Sequence, residues 1–156
     1  MLTIERLQSV LSYDEDTGLF TWLGGIRAEF VAGNLHQGGY INIVVDGLTY
    51  PAHVLAWFYK TGHWEKVDHK DRNKANNAIN NLRPATTSQN NYNRRSWGIL
   101  PKGIKLSRSG KYEARIHKNL AYIHLGTFST IEEAKAAYKN AYEILAGEFV
   151  CAEQES

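Results

Sequence analysis

The sequence predicts an α+β protein built of two modules, and three features carry that reading. Short stretches with apolar residues at helical spacing are interspersed with short stretches of strand-like alternation. A break at Ser96-Trp97-Gly98, running on to Pro101, divides the 156 residues. Beyond the break the pattern settles into three short strands followed by one helix. The modules are expected at residues 1–96 and 102–149, with 97–101 as a short linker that limits their separation and 150–156 as a tail.

In the first module, Thr3 is placed to cap a short helix in which Ile4, Leu7, Val10 and Leu11 recur at helical spacing. Asp14-Glu15-Asp16-Thr17-Gly18 breaks that helix, and Leu19-Phe20-Thr21-Trp22 reads as a strand. Gly24-Gly25 and Gly38-Gly39 mark turns. Residues 40–45 and 48–50 flank Asp46-Gly47, which predicts a hairpin closed by a type I′ turn. A helix is expected over about 52–59, carrying Val54, Leu55, Trp57 and Phe58; His53, among these apolar neighbours, is read as a packed residue rather than a metal or phosphate contact. Thr87-Ser88-Gln89-Asn90 reads as the capped start of a further helix, beginning near Ser88 and continuing through 91–95.

The second module is expected to hold strands at 103–107, 111–117 and 122–127, separated by Ser109-Gly110 and Asn119-Leu120. Along the middle strand Tyr112, Ala114 and Ile116 fall on one face, and Lys111, Glu113, Arg115 and His117 on the other. The third strand sets Ile123 and Leu125 opposite Tyr122 and His124. Ser129-Thr130-Ile131-Glu132-Glu133 supplies a capping box, and Ile131, Ala134, Tyr138, Ala141 and Leu145 form the apolar face of a helix ending at Gly147.

Composition bounds the function. A chain 43% hydrophobic and 22% charged is globular, and its net charge of +2 is too mild to establish a polyanion partner. The distribution of charge is more informative. Between Arg94 and Lys118 stand Arg94, Arg95, Lys102, Lys105, Arg108, Lys111, Arg115 and Lys118 against one acid, Glu113, a local footprint suited to nucleic acid. Cys151 is the only cysteine, which excludes an intramolecular disulfide and a cysteine-based zinc site. No apolar run approaches the roughly 20 residues of a membrane span, and the N-terminus lacks a signal pattern, so a soluble, cytoplasmic protein without a membrane partner is expected.

The chemistry concentrates in residues 67–90, VDHKDRNKANNAINNLRPATTSQN. Phosphodiester hydrolysis calls for a cation that offsets charge on the phosphate and the leaving oxygen, and for a group that takes a proton from water. Asp68 and the amide oxygen of Asn90 are hard ligands suited to Mg²⁺ or Mn²⁺, and His69 titrates near neutrality and suits the base. On a strand Asp68 and His69 point to opposite faces, so both reach one site only where the strand ends or twists. Asn73, Asn76, Asn77 and Asn80 are read as turn residues.

This stretch resembles the HNH homing-endonuclease family. Asp68-His69 matches the family's Asp-His, Asn81 in Asn80-Asn81-Leu82 its middle Asn, and Asn90 its last position, twelve and nine residues apart. The resemblance implies a ββα-metal core at about 66–95, with His69 as general base, Asp68 and Asn90 holding one divalent cation, and Asn81 bracing the loop that carries His69. Asn90 replaces the commoner final His, and Arg72 stands where relatives often have a turn glycine. The Tyr50-Pro51-Ala52-His53 lead-in is similar too, and without cysteines apolar packing must hold the module.

Residues 101–149 resemble the ethylene-response-factor (APETALA-type) DNA-binding domain, which also accompanies phage HNH nucleases. The similarity lies in Gly103-Ile104, Gly110-Lys111-Tyr112, Ala114, Ile116, Leu125-Gly126-Thr127-Phe128, Glu132-Glu133-Ala134, Ala137-Tyr138 and Gly147. It implies that the outward sheet face enters the major groove of double-stranded DNA, with Lys102, Lys105, Lys111, Arg115, His117, Tyr122, His124 and Thr127 in contact and Arg94 and Arg95 adding charge. Ser109 and His124 replace the family's groove-facing tryptophans, so the base sequence read by plant members does not carry over. The reading is therefore a metal-dependent DNA endonuclease of phage type acting inside a bacterial host. The alternative is a DNA-binding protein whose nuclease fold no longer cuts. One catalytic motif per chain makes a nick the default for a monomer, and double-strand cutting would need two chains, as in a homodimer, or two events.

Overall fold

The computed structural model describes residues 2–87, 89–90, 99–118 and 121–147. It is a mixed α+β chain with small antiparallel sheets, divided into two compact units, Met1–Ala85 and Thr86–Ser156. Among the described residues no helix is long and apolar enough to cross a membrane.

In the first unit α1, Ile4–Val10, starts where the Thr3 side chain accepts a hydrogen bond from the Arg6 backbone N–H. Leu11, grouped with this helix by its spacing, instead opens strand β1, Leu11–Tyr13, which pairs with β2, Phe20–Trp22, and through it with the two-residue β3, Val31–Ala32. A second sheet orders β4, Asn34–Leu35, then β5, Ile41–Val45, then β6, Leu48–Pro51. The β5–β6 hairpin closes through Asp46 and Gly47 with φ of 51° and 78°, the left-handed pair of a type I′ turn. Helix α2, Ala52–Thr61, runs two residues past its expected end and stops at left-handed Gly62.

One apolar core joins these pieces: Leu7 and Leu11, Phe20, Ile43 and Val45, Leu55, Ala56 and Phe58 pack with Val67 and Leu82. The last two belong to a two-stranded ribbon, β7, Val67–His69, and β8, Leu82–Pro84, in which Asp68 lies across from Arg83 and His69 across from Leu82. Val67 thus anchors the strand end that carries Asp68 and His69.

The second unit opens with a helical turn that begins at Thr87, one residue earlier than expected. It has a reciprocal cap: the Gln89 N–H donates to Thr86 Oγ1 at 3.2 Å and the Thr86 N–H to Gln89 Oε1 at 2.8 Å. Further on, β9, Ile104–Leu106, β10, Tyr112–Lys118, and β11, Ala121–Phe128, form a sheet of order β11-β10-β9. Helix α3, Ile131–Ala146, packs on it behind a Thr130–Glu133 capping box, with Ile104, Ala114 and Ala134 at the centre of the contact. Tyr142, absent from the expected apolar face, is among its most deeply buried residues.

The β10–β11 register shifts between Ala114 and Arg115: Ala114 pairs with Gly126 and Arg115 with His124, leaving Leu125 as the extra residue of a bulge. Strict alternation would send His124 and Thr127 to opposite faces. The bulge sets Tyr122, His124 and Thr127 on one face, directly across from His117, Arg115 and Glu113, with His124 Nε2 3.5 Å from Thr127 Oγ1.

Candidate active site

The site is built around the end of β7. Asp68 is buried, and Arg83 across the ribbon donates to its Oδ2 from Nε at 3.3 Å and from Nη2 at 3.1 Å. Arg83 carries no motif of its own, because a cross-strand partner is a matter of register rather than of motif.

His69 is 4% exposed. Its Nε2 lies 3.2 Å from Oδ1 of Asn77, a residue read from sequence as a mere turn former. Two further rings lie close to the imidazole, with the His53 ring centroid 4.8 Å away and that of Tyr40 6.1 Å away. Lys74 holds its ammonium 4.7 Å above the Tyr40 ring and donates to the Gly38 carbonyl at 2.8 Å. Burial pushes the His69 imidazole below its ordinary value; the Asn77 contact and the carboxylates of Asp71 and Asp68 act the other way without overcoming it. At neutral pH the ring is uncharged and able to accept a proton.

His53 is packed, as its apolar neighbours suggest, yet it faces His69 and Tyr40. Its Nδ1 is buried without a hydrogen-bond partner among the described residues. Burial, reinforced by His69, pushes its value down to about 4.

Beyond His69 the chain turns at once. Arg72, in the place of a turn glycine, takes φ of 63°, the left-handed conformation glycine favours, so the turn is kept with a side chain on it. Asn81 holds the loop closed from inside: its Nδ2 donates to Asp71 Oδ1 at 2.9 Å and to the Asn76 carbonyl at 2.8 Å, and its Oδ1 accepts from the Asp71 N–H at 3.1 Å. Its backbone carbonyl accepts from the Lys70 N–H at 2.8 Å. Asn76 Nδ2 completes the shell on Asp71 Oδ2 at 2.7 Å. Burial raises Asp71, but these donors outweigh it and hold the carboxylate below its ordinary range.

His69, Asn81 and Asp68 therefore share one ribbon-and-loop element of the first unit, while Asn90 belongs to the opening turn of the second, its N–H donating to the Thr86 carbonyl at 3.0 Å. Among the described residues no three His, Cys, Asp or Glu side chains cluster to hold a metal ion. One carboxylate and one amide oxygen are donors of the type that suits an oxygen-preferring cation completed by water and phosphate, and not a zinc-type cage.

Residues 50–92 match the family model described as HNH endonuclease. Over 83 residues the chain is 39% identical to an uncharacterized HNH endonuclease, L560, of Acanthamoeba polyphaga mimivirus. That alignment covers 53% of this chain and 44% of the relative, so the chain spans under half the length of the relative it matches. No solved structure matches the chain. The matched segment runs from the end of β6 through α2, β7 and β8 into the turn that opens the second unit, and it includes His53, Asp68, His69, Asn77, Asn81 and Asn90.

On the sheet of the second unit, β10 and β11 carry Arg115, His117, Tyr122, His124 and Thr127 on the face away from the helix, and Lys105 lies across from Glu113. His117 and Tyr122 meet edge to face at 5.0 Å. Arg115 donates to Glu113 on its own strand at 2.9 Å. Lys111 is exposed in the turn before β10. Lys102 departs from the group: its ammonium lies 6.0 Å from the ring of Tyr142 on α3, which draws it toward the helix. Arg94 and Arg95 lie outside the described residues, as do Asn119 and Leu120, residues 97–98 of the expected linker and the 150–156 tail.

Proposed function

We propose that this chain is a metal-dependent DNA endonuclease of the HNH homing type, with His69 as general base. The observation that carries the reading is a buried imidazole next to Asp68 at a strand end, inside a segment that matches HNH endonucleases. His69 takes a proton from the attacking water as the new phosphorus–oxygen bond forms and the bond to the leaving oxygen breaks. Asp68 and Asn90 would hold one Mg²⁺ or Mn²⁺, which when bound offsets charge on the phosphate and on the leaving oxygen. Arg83 fixes the orientation of the Asp68 carboxylate, and Asn81 fixes the loop that follows His69.

The second unit is assigned to docking. Lys105, Lys111, Arg115, His117, Tyr122, His124 and Thr127 would meet double-stranded DNA, by analogy with β-sheet readers of the ethylene-response-factor type. A second reading, DNA binding without cleavage, draws on the Arg83–Asp68 pair, which engages the carboxylate a cation needs. Supercoiled plasmid incubated with Mg²⁺, Mn²⁺ or a chelator separates the two. Nicked or linear product with metal alone supports the nuclease, and unchanged supercoiled plasmid under every condition supports the alternative.

A further inference from the structure

We infer that Asn77 is a positioning residue for His69: its side-chain oxygen fixes the proton of the imidazole on Nε2 and so presents Nδ1 as the basic nitrogen. The inference rests on the assignment of His69 as the base.

Asn77 Nδ2 donates to the Ala75 carbonyl at 3.2 Å, so the atom turned toward His69 is Oδ1, which only accepts. A contact of 3.2 Å between Oδ1 and the His69 Nε2 then requires an Nε2–H donor, because two acceptors at that distance repel. A neutral imidazole with its proton on Nε2 has its lone pair on Nδ1.

Asn77 is itself held from outside its loop. It is 4% exposed, and its backbone carbonyl accepts from Tyr13 Oη at 2.7 Å, a contact across 64 residues. The turn between β1 and β2 closes on the same spot: Ile79 N–H donates to the Glu15 carbonyl at 3.0 Å, and Gly18, at φ of 73°, sits so tightly that a Cβ there would stand 2.2 Å from the Ala78 nitrogen and 2.3 Å from the Asn77 carbonyl carbon. The β1–β2 turn thus serves as the seat for the loop that aims the base. Misplacing a base by about 1 Å costs on the order of 10²-fold in rate, which makes such a seat worth building.

The test is a two-bond ¹H–¹⁵N spectrum of the full chain labelled at histidine, without metal or DNA, near pH 8. The His69 signals are assigned by their loss in His69→Ala. The wild type is expected to show the Nε2–H tautomer with its ring proton protected from exchange. Asn77→Ala should lose that protection and lower kcat for plasmid cleavage about 10- to 100-fold at unchanged KM. Asn77→Asp, which keeps an acceptor at the same place, should restore the protected proton. Should Asn77→Ala fail to fold, Tyr13→Phe keeps the ring and removes only the hydroxyl that anchors Asn77, and is expected to increase exchange at His69 Nε2. An Nδ1–H tautomer in the wild type, or equal protection in wild type, Asn77→Ala and Tyr13→Phe, overturns the inference. Failure of the base assignment reads differently: His69→Ala would then cut normally whatever the tautomer.

Discussion

Replacing His53 by Phe removes a titration that the fold places at a fixed cost. The imidazole is buried against Tyr40 and His69, its Nδ1 has no hydrogen-bond partner among the described residues, and burial together with His69 pushes its value down to about 4. In the unfolded chain the same group titrates near 6.5. A depressed histidine binds its proton more readily unfolded, so its contribution is constant above about pH 6.5 and stability is lost as pH falls from there toward about 4. The gap between the two values corresponds to about 3 kcal/mol over that window. Urea unfolding followed by tryptophan fluorescence reports mainly on the unit concerned, because three of the four tryptophans, Trp22, Trp57 and Trp64, lie in it. Near pH 7.5 His53→Phe should match or exceed the wild type, since leaving a buried nitrogen without a partner costs about 1–3 kcal/mol. Between pH 6.5 and 4 the wild type should lose about 3 kcal/mol more than the variant. Parallel pH curves for the two proteins would refute the buried, uncharged state of His53.

Three further outcomes follow from the same geometry. Arg83→Leu strips the buried Asp68 of both guanidinium hydrogen bonds and should lower stability by about 3 kcal/mol, read as a fall in the urea midpoint at unchanged slope; an unchanged midpoint would show the pair to be energetically idle. Because burial holds His69 below its ordinary value, the cleavage rate should stay flat as pH falls through the usual histidine range and drop only below it, and a midpoint at or above the ordinary value in a rate profile contradicts the uncharged base. On the docking face, Lys111→Ala should weaken DNA binding alike for all sequences and flatten the salt dependence by about one, whereas Arg115→Ala should cost about 1–3 kcal/mol at one base position; the Glu113 contact must open for Arg115 to read a base, so salt titrations that leave both variants on the wild-type curve remove this face from the interface.

Local chemistry was legible in the chain, and what depended on distant partners was not. The Asp46-Gly47 turn, the Thr3 cap and the Thr130–Glu133 box are settled by neighbours within a few residues, and the structure holds all three. Leu11 fits the helical period of α1 yet belongs to β1, because pairing with Trp22 across the turn outweighs spacing. Strands β3 and β4 have two residues each, too few for alternation to register. Asp68, His69 and Asn81 stood out as a motif, and the structure gathers them on one ribbon and loop. Asn77 did not stand out, because its meaning lies in a ring eight residues back and a hydroxyl 64 residues away. Arg83 matters through strand register, and the Leu125 bulge breaks the period-two rule on which face assignment depends.

Whether His69 performs phosphodiester hydrolysis rather than holding the fold is tested most directly by single-turnover cleavage of a prebound DNA complex started with Mg²⁺, comparing wild type with His69→Ala. Removal of a general base should slow the wild-type rate by about 10²- to 10⁴-fold while the affinity measured in chelator stays the same. Cleavage by His69→Ala at the wild-type rate would contradict that role.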